Sequence, residues 1–351
     1  MAPVIHALRS HTGFAVPVLA TAQHRGMLDQ VLERFDIKPD FDLDLMQPNQ
    51  SLNSVAGRLL SALDDVFDAC HPDAALVQGD TTTVLGTAIA CFHRHIPIGH
   101  VEAGLRTRNL QNPFPEEANR VLTSRLSTWH FTPTQQASQN LLDENIPAQQ
   151  IIMTGNTVID ALKHYTEAHK TQSNCDSVKR QILVTCHRRE NFGAPITSIC
   201  NALRSLALSN PDVDFIYPVH PNPNVHRVAH ETLSDLANFR LSPPLDYFEF
   251  IEELNKSTLV LTDSGGVQEE APALGKPVLV LRTETERPEA VALGVAKLIG
   301  TSEESIVLET QHLLDDKTAY NAMARGISPY GDGLASSRIV TALLGHFARQ
   351  G

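Results

Sequence analysis

The chain has 351 residues, enough at about 150 residues per domain for two domains with ordinary hydrophobic cores, which argues against a peptide hormone, a disulfide-stapled mini-protein or a solenoid of short repeats. Apolar residues make up 42% and charged residues 19%, a composition typical of a globular chain. The 28 basic and 40 acidic residues give a net charge of -12, which argues against a general affinity for nucleic acid or for an anionic membrane.

Short β-rich runs alternate with amphipathic helical stretches along almost the whole chain, a pattern typical of parallel α/β architecture. The predicted strands lie at 15–21, 75–78, 98–101, 128–131, 151–154, 182–185, 215–218, 259–262 and 277–281. The predicted helices include 27–35, 52–69, 83–92, 116–126, 196–208, 267–274 and 335–350.

The stretch at 167–179, EAHKTQSNCDSVK, is polar and lacks an apolar stripe, which indicates a linker between two domains. We therefore predict two Rossmann-like, doubly wound α/β domains, residues 1–166 and 167–334, that face a cleft. In such sheets, ligands bind beyond the carboxyl ends of the strands. The C-terminal segment at 335–351 is a candidate to pack back onto the first domain.

Three acidic residues follow turns in the first domain. Asp80 and Glu102 each come after a predicted strand, and Glu116 lies in the first turn of a helix behind two prolines. Each has a simple structural interpretation, because acids cap helix N-termini and favour the helix dipole. Parallel topology nevertheless places Asp80 and Glu102 at one edge of one sheet. Carboxylates that converge on a cleft can divide the roles of general acid and base, so we treat these three as catalytic candidates.

In the second domain, His187 stands beside two arginines at the end of a predicted strand, where arginine's planar guanidinium suits a diphosphate. The segment DSGGVQEE at 263–270 follows another strand. Gly265 and Gly266 would let backbone N–H groups approach a phosphate, and Glu270 could contact ribose hydroxyls. The alternative interpretation is a tight turn with a serine cap. Neither a Walker lysine nor a G-x-G-x-x-G run is present, which argues against an ATPase or an NAD enzyme.

The five cysteines form an odd set without a C-x-x-C pair, which indicates neither a disulfide framework nor a thiolate zinc site and favours a reducing cytoplasm. His93, His95 and His100 are the alternative metal ligands, but no acidic partner accompanies them, and we predict no metal. No apolar run approaches the roughly 20 residues that span a bilayer, and the N-terminus lacks a signal-like apolar core. We therefore expect a cytoplasmic protein without a membrane or nucleic-acid partner.

Together these motifs resemble the non-hydrolysing UDP-N-acetylglucosamine 2-epimerase family, in the family's order and over nearly the whole chain. The segments that carry the resemblance are TAQHRGMLDQVL (21–32), QGDTTT (78–83), GHVEAGLRT (99–107), FPEEANR (114–120), TGNTVIDAL (154–162), HRRENFG (187–193), DSGGVQEEAPALGKPVLVLR (263–282) and TERPEAV (285–291).

The resemblance implies a GT-B-like fold of two Rossmann-like domains, a homodimer, a UDP-sugar substrate, and no redox cofactor or metal. The catalytic residues that it implies are Asp80, Glu102, Glu116 and His187. The substrate-binding residues that it implies are Phe250, near the uracil, and Ser264, Gly265, Gly266, Glu270 and Arg287. A second, allosteric UDP-GlcNAc position would match Gln23, Arg58, Arg188 and His220. A glutamine that contacts the pyrimidine in some members corresponds to Leu245.

The sequence departs from the family pattern at its start. Members usually begin with a strand and a GTRPEAIK-like segment whose Arg and Lys contact the nucleotide phosphates, whereas this sequence starts at MAPVI. The expectation is that the central first strand of the first sheet is absent from the sequence as written. A late-assigned start, a truncated record and a real loss are the three explanations.

The implied reaction is the reversible epimerisation of UDP-GlcNAc at C2. Departure of UDP from C1 acidifies the C2 proton, elimination gives 2-acetamidoglucal and UDP, and re-addition with a proton on the other face gives UDP-ManNAc. This chemistry needs acid/base groups at C2 and a site that stabilises the diphosphate. The alternatives are an epimerase of a related UDP-HexNAc sugar, a UDP-sugar glycosyltransferase on the same fold, and a non-catalytic UDP-sugar sensor.

Overall fold

The computed structural model describes residues 1–21, 25–45, 50–168 and 179–348. They form two compact units, Met1–Lys163 with Tyr330–Gly351, and His164–Pro329. The first unit ends at Lys163, inside helix Thr157–Ala168, and the chain re-enters it at Tyr330, before the C-terminal helix. The sequence predicted these two boundaries at 166 and 334. Most of the predicted linker at 167–179 lies outside the described residues.

The described residues form strands and helices that alternate along the chain. The strands are β1 (Leu19–Ala20), β2 (Phe41–Asp42), β3 (Ala75–Gln78), β4 (Ile98–Val101), β5 (Trp129–Thr132), β6 (Ile151–Met153), β7 (Gln181–Thr185), β8 (Asp214–Pro218), β9 (Phe239–Ser242), β10 (Leu259–Thr262), β11 (Val278–Val280) and β12 (Ala296–Leu298). The helices are α1 (Ala2–Arg9), α2 (Arg25–Arg34), α3 (Leu52–Cys70), α4 (Thr82–His93), α5 (Glu116–Leu126), α6 (Gln135–Asp143), α7 (Thr157–Ala168), α8 (Ala194–Ser209), α9 (Pro223–Leu233), α10 (Tyr247–Lys256), α11 (Val267–Ala273), α12 (Pro288–Ala292), α13 (Glu303–Asp315), α14 (Lys317–Met323) and α15 (Ala335–Phe347).

The first unit contains a four-stranded parallel sheet in the order β3-β4-β5-β6 and a separate parallel pair, β1-β2. Leu59 and Leu63 of α3 pack with the apolar face of α4 in one core cluster. Helices α1 and α15 pack together in a second cluster that includes Val101, Trp129 and Phe131 of the sheet. The carboxylate of Asp160 in α7 accepts hydrogen bonds from the first two backbone N–H groups of α15, which fixes the C-terminal helix within this unit.

The predicted strand at 15–21 is wrong in length, because only Leu19–Ala20 pairs with a neighbouring strand. Pro17 has no N–H donor, and the N–H of Val18 is bonded instead to the carboxylate of Asp40 at 2.8 Å. The sequence also missed the short strands β2, β9 and β12, whose two to four residues give little periodicity to detect. Within the described ranges, no helix combines the length and the apolar character that a membrane span requires.

The second unit is built on a six-stranded parallel sheet in the order β12-β11-β10-β7-β8-β9. All five residues of β7 and all four of β10 are buried, as expected for central strands covered on both faces. The chain winds outward from β7 through β8 to β9, and then outward from β10 in the opposite direction. The switch in winding therefore lies between β7 and β10, and the crevice beyond that point is where doubly wound sheets bind ligands.

Candidate functional site

The first unit places two of the predicted catalytic acids at the carboxyl edge of its sheet. Asp80 follows β3 after Gly79, whose φ of +84° suits glycine, and Glu102 follows β4 with a φ of +65°. The imidazole of His100 contacts the carbonyl oxygen of Gly79 at 2.8 Å and holds this turn against β4. The side-chain amide of Gln78 donates to Glu102 Oε2 at 3.4 Å. Asp80 and Glu102 therefore lie on neighbouring turns at the same edge of this sheet.

Helix α5 connects the third acid, Glu116, to the same edge. Glu116 is the first residue of α5, and one turn later Asn119 donates to the carbonyl oxygen of Asp80 at 2.8 Å. Arg120 follows and donates from Nη2 to Asp80 Oδ2 at 2.7 Å. Helix α5 is thus attached to the turn that carries Asp80 through Asn119 and Arg120, and Glu116 begins that helix.

A buried acid that the sequence analysis did not select supports this cluster. Glu117 is fully buried, and its Oε1 accepts hydrogen bonds from the backbone N–H groups of Thr107 and Arg108 at 3.0 and 2.8 Å. Its Oε2 lies 3.5 Å from Arg120 Nε. Glu117 therefore fixes the loop after β4 and lies beside the guanidinium that contacts Asp80. Its position next to Glu116 in FPEEANR was the only sequence signal for it.

In the second unit, two predicted motifs occupy the switch point of the sheet. His187 lies two residues beyond the end of β7, and Ser264, Gly265 and Gly266 form the turn from β10 to α11. The hydroxyls of Thr185 and Thr262, which end these two strands, are hydrogen-bonded at 2.6 Å. The side chain of His187 is 40% exposed, so its imidazole is accessible to a ligand.

The turn after β10 requires glycine at one position more strictly than at the other. A Cβ on Gly265 would lie 2.8 Å from Oε1 of Glu286 and 3.3 Å from the guanidinium carbon of Arg287. A Cβ on Gly266 would meet nothing within 4 Å, and that residue has ordinary helical dihedrals. Gly265 is therefore needed for close packing, whereas the space beside Gly266 is open.

Arg287 belongs to a buried network of alternating charges beside this turn. Its Nε donates to Glu269 Oε1 at 2.8 Å, and its Nη1 lies 3.1 Å from Glu286 Oε1. Glu286 also accepts from Arg282 at 2.8 Å and from Arg188 at 3.4 Å. Burial by itself would raise the pKa of Glu286, but the three arginines outweigh it and lower the pKa to about 2. Glu286 thus stays ionised and holds the arginines in place.

Glu270 and Phe250 lie on two helices of the second unit. Glu270, in α11, is buried, and this burial raises its pKa to about 8, with Glu269 acting in the same direction and the Tyr247 hydroxyl in the opposite one. Phe250, in α10, is partly buried on the helix that begins with Tyr247. Leu245, at the position of the family's glutamine, lines a cavity of about 260 Å³ together with residues of β9 and α10.

The predicted allosteric residues are distributed over both units. Arg58, in α3, donates to Ser54 and to the carbonyl oxygen of Leu45, at 2.9 and 3.0 Å. Arg188 is anchored beside His187 through Glu286, and the ring of His220 stacks on His187 with a centroid distance of 6.0 Å. Gln23 lies outside the described residues.

The histidines considered as metal ligands have separate surroundings. His93 and His95 are exposed around the end of α4, whereas His100 is buried in β4, and its burial lowers its pKa to about 4. Among the residues that the structure describes, no group of three or more His, Cys, Asp or Glu could hold a metal ion.

Two parallel, helix-covered sheets with a glycine turn at a switch point define a Rossmann-like α/β protein of the GT-B-like class. Residues 6–344 match the family described as UDP-N-acetylglucosamine 2-epimerase. The UDP-N-acetylglucosamine 2-epimerase of Escherichia coli (strain K12) is 49% identical over 354 residues, covering 98% of this chain and 94% of that protein. This chain belongs to the UDP-N-acetylglucosamine 2-epimerase family.

Solved structures give the same result. The crystal structure of UDP-GlcNAc 2-epimerase from Neisseria meningitidis bound to UDP-GlcNAc has a TM-score of 0.94 and 48% identity, covering 98% of this chain and 96% of that one. The UDP-GlcNAc 2-epimerase from Methanocaldococcus jannaschii in complex with UDP-GlcNAc and UDP has a TM-score of 0.84 and 31% identity, covering 98% and 95%. The predicted family and fold class are confirmed.

Proposed function

We propose that this chain reversibly epimerises UDP-GlcNAc at C2 to UDP-ManNAc. The observation that carries the proposal is the family match over residues 6–344, together with a 48% identical relative whose structure contains UDP-GlcNAc. In the forward reaction, the C1–O bond breaks, UDP departs with that electron pair, and a base removes the C2 proton, which leaves 2-acetamidoglucal. UDP then re-adds at C1 while a proton reaches the opposite face of C2.

Asp80, Glu102 and Glu116 are the proposed proton donors and acceptors at C2. Their common position at the edge of the β3–β4 sheet supports this role, as does the contact of Asp80 with Arg120. Proton transfer by positioned carboxylates contributes typically 10²–10⁴-fold to a rate. Asp80 and Glu102 follow neighbouring strands, and Glu116 begins the helix whose Arg120 contacts Asp80.

His187 is the proposed catalytic residue on the diphosphate side. Ser264, Gly265, Gly266 and Arg287 would hold the phosphates with it, because all of them border the switch point of the second sheet. The remaining proposed contacts are Phe250 with the uracil and Glu270 with the ribose hydroxyls. The buried acids around Arg287 support the phosphate role, since they keep that guanidinium oriented before ligand arrives.

We also propose an allosteric UDP-GlcNAc position at Gln23, Arg58, Arg188 and His220, a homodimer and a cytoplasmic location. Stacking of His220 on His187 supports a link between the allosteric position and the diphosphate site. The exposed side chains of Phe92 and Leu122, on the neighbouring helices α4 and α5, support a dimer contact. The free thiols of the described cysteines support a reducing compartment.

The test is proton NMR of the purified protein with UDP-GlcNAc in D₂O. Deuterium at C2 and a minority of UDP-ManNAc, with little free sugar, are the expected results. The same run with Asp80→Asn should show no exchange, and Asp143→Asn on α6 serves as a control with normal exchange. Absence of exchange with the unaltered chain would overturn the proposal. Release of UDP only when an acceptor is added would identify a glycosyltransferase, and tight binding without turnover a sensor.

A further inference from the structure

Asp263 is a buried carboxylate that connects the two motifs at the switch point of the second sheet. It is the first residue after β10, none of its surface is exposed, and its own N–H donates to the carbonyl oxygen of Thr185 at the end of β7. An isolated buried carboxylate is strongly disfavoured unless several donors compensate it. The groups that donate to Asp263 therefore indicate the role of its charge.

The two oxygens of Asp263 share the backbone N–H of His187 and differ in their other contacts. Oδ2 accepts three hydrogen bonds: from the backbone N–H groups of His187 and Arg188, at 2.9 and 2.8 Å, and from the side-chain amide of Asn191, at 2.9 Å. Oδ1 lies 3.1 Å from the backbone nitrogen of His187 and 3.4 Å from Nδ1 of its imidazole. Both oxygens thus hold the loop after β7, and Oδ1 also lies beside the histidine ring.

We propose that Asp263 is a positioning residue that holds His187 in the Nδ1–H tautomer and directs Nε2 to the reacting diphosphate. This inference rests on the proposed function for the role of His187, but the orientation of the ring rests on the contacts alone. A carboxylate beside Nδ1 favours a proton on that nitrogen, and the opposite nitrogen is then available to a ligand. The exposed 40% of the His187 side chain gives a ligand access to the ring.

The other groups around His187 oppose protonation of the ring. Burial is the largest influence on its pKa and lowers it, and Arg188 and His220 lower it further, whereas Asp263 is the group that raises it. Among these influences, Asp263 is the one that favours the protonated ring. Removing its charge should move both the tautomer and the titration of His187.

The first measurement leaves Asp263 unaltered. Nitrogen-15 NMR of the chain labelled at histidine, with the His187 signals identified by their loss in His187→Gln, reports which ring nitrogen carries the proton. We expect the Nδ1–H tautomer to predominate at pH values above the titration of this ring. A predominant Nε2–H tautomer in the unaltered protein would overturn the inference.

The second measurement separates positioning of the ring from anchoring of the loop. Asp263→Asn should lower the pKa of His187 in the NMR titration, mix its tautomers, and reduce kcat by roughly 10²-fold. Asn191→Ala removes another anchor of the same loop but keeps the carboxylate. It should leave the tautomer unchanged. If Asn191→Ala reproduced the spectrum of Asp263→Asn, the carboxylate would be a loop anchor only.

Turnover and tautomer together distinguish this inference from the proposed function. A chain that epimerises UDP-GlcNAc but shows the Nε2–H tautomer contradicts the role of Asp263 and leaves the function standing. A chain that shows the Nδ1–H tautomer, and loses it in Asp263→Asn, supports the positioning role even if C2 exchange is absent.

Discussion

Arg120 Nη2 lies 2.7 Å from Asp80 Oδ2, and this contact joins helix α5 to the turn after β3. The guanidinium is buried, with 5% of the side chain exposed, and Glu117 on the preceding turn of the helix lies 3.5 Å away. The pair therefore fixes the orientation of Asp80 relative to the helix that begins with Glu116. Because acid/base catalysis depends on geometry, Arg120 should matter for the reaction although it need not touch the sugar.

Replacing Arg120 with methionine should reduce both stability and turnover. The substitution leaves the buried charge of Glu117 without its neighbouring cation, which costs about 3 kcal/mol in the free energy of unfolding. It also releases the carboxylate of Asp80, so we expect kcat to fall by roughly 10²-fold. Urea unfolding and the C2 exchange assay measure the two effects.

The double variant Arg120→Met with Glu117→Gln separates these effects. Glutamine can still accept from the N–H groups of Thr107 and Arg108 through its carbonyl oxygen, and no buried charge remains unpaired. Stability should largely return, while kcat stays low because Asp80 is still unanchored. Recovery of full turnover in the double variant would show that Arg120 acts through stability alone.

Gly265→Ala should reduce stability, whereas Gly266→Ala should affect UDP binding and leave stability nearly unchanged. The added Cβ at 265 would press on Oε1 of Glu286 at 2.8 Å, and overpacking of this kind costs about 1–3 kcal/mol in stability. The Cβ at 266 meets open space, so stability should stay within about 0.5 kcal/mol. If a phosphate approaches this turn, UDP affinity should nevertheless fall in Gly266→Ala. Thermal unfolding and calorimetric titration with UDP check both expectations.

The sequence predicted the central strands well because each is a short buried run that ends in a turn. The bounds of β3, β4 and β10 agree with the predicted strands, and a glycine follows β3 and β10 within three residues. Edge strands give a weaker signal. In β9 only Phe239 is buried and Arg240 is exposed, so the segment lacks the apolar run from which the others were predicted.

The site residues, too, differ in whether a short stretch of sequence is enough to predict them. The turns that carry Asp80, Glu102, His187 and Ser264 could be found from strand ends, because that signal is contiguous. Arg120 and Asp263 could not, since their partners lie 40 and 76 residues away in the chain. Only the pairing of β7 with β10 reveals that Asp263 faces the loop of His187.

Weakening the start of α10 should reduce uridine binding. Asp246 caps this helix by accepting from the backbone N–H groups of Phe248 and Glu249, each at 2.8 Å, and the helix carries Phe250. Asp246→Ala should cost about 1 kcal/mol in stability and raise the Kd for UDP several-fold. Ser302→Ala removes the side-chain cap of α13, a single hydrogen bond from Ser305 N–H, and is the control. The stability of the Ser302→Ala variant should fall slightly, with no change in its Kd for UDP.

Glu270 should make the stability of the protein depend on pH between 4.5 and about 8. Its pKa rises from 4.5 to about 8 on folding, chiefly through burial, so between these values the folded state binds a proton that the unfolded state releases. This contribution to stability is complete below pH 4.5 and is lost as the pH rises toward 8, with a slope of at most about 1.4 kcal/mol per pH unit. Glu270→Gln should remove this slope, whereas Glu304→Gln on α13 should retain it.

The same group should couple UDP binding to proton release. Ribose hydroxyls donate best to an ionised carboxylate, so bound UDP favours the charged form of Glu270 and expels the proton that the free protein holds. We therefore expect UDP to bind more tightly above the pKa of about 8 than at neutral pH. Calorimetric titrations in two buffers of different ionisation enthalpy count the proton directly. Glu270→Gln should bind UDP more weakly and without that release, and an unchanged proton count in this variant would place the ribose elsewhere.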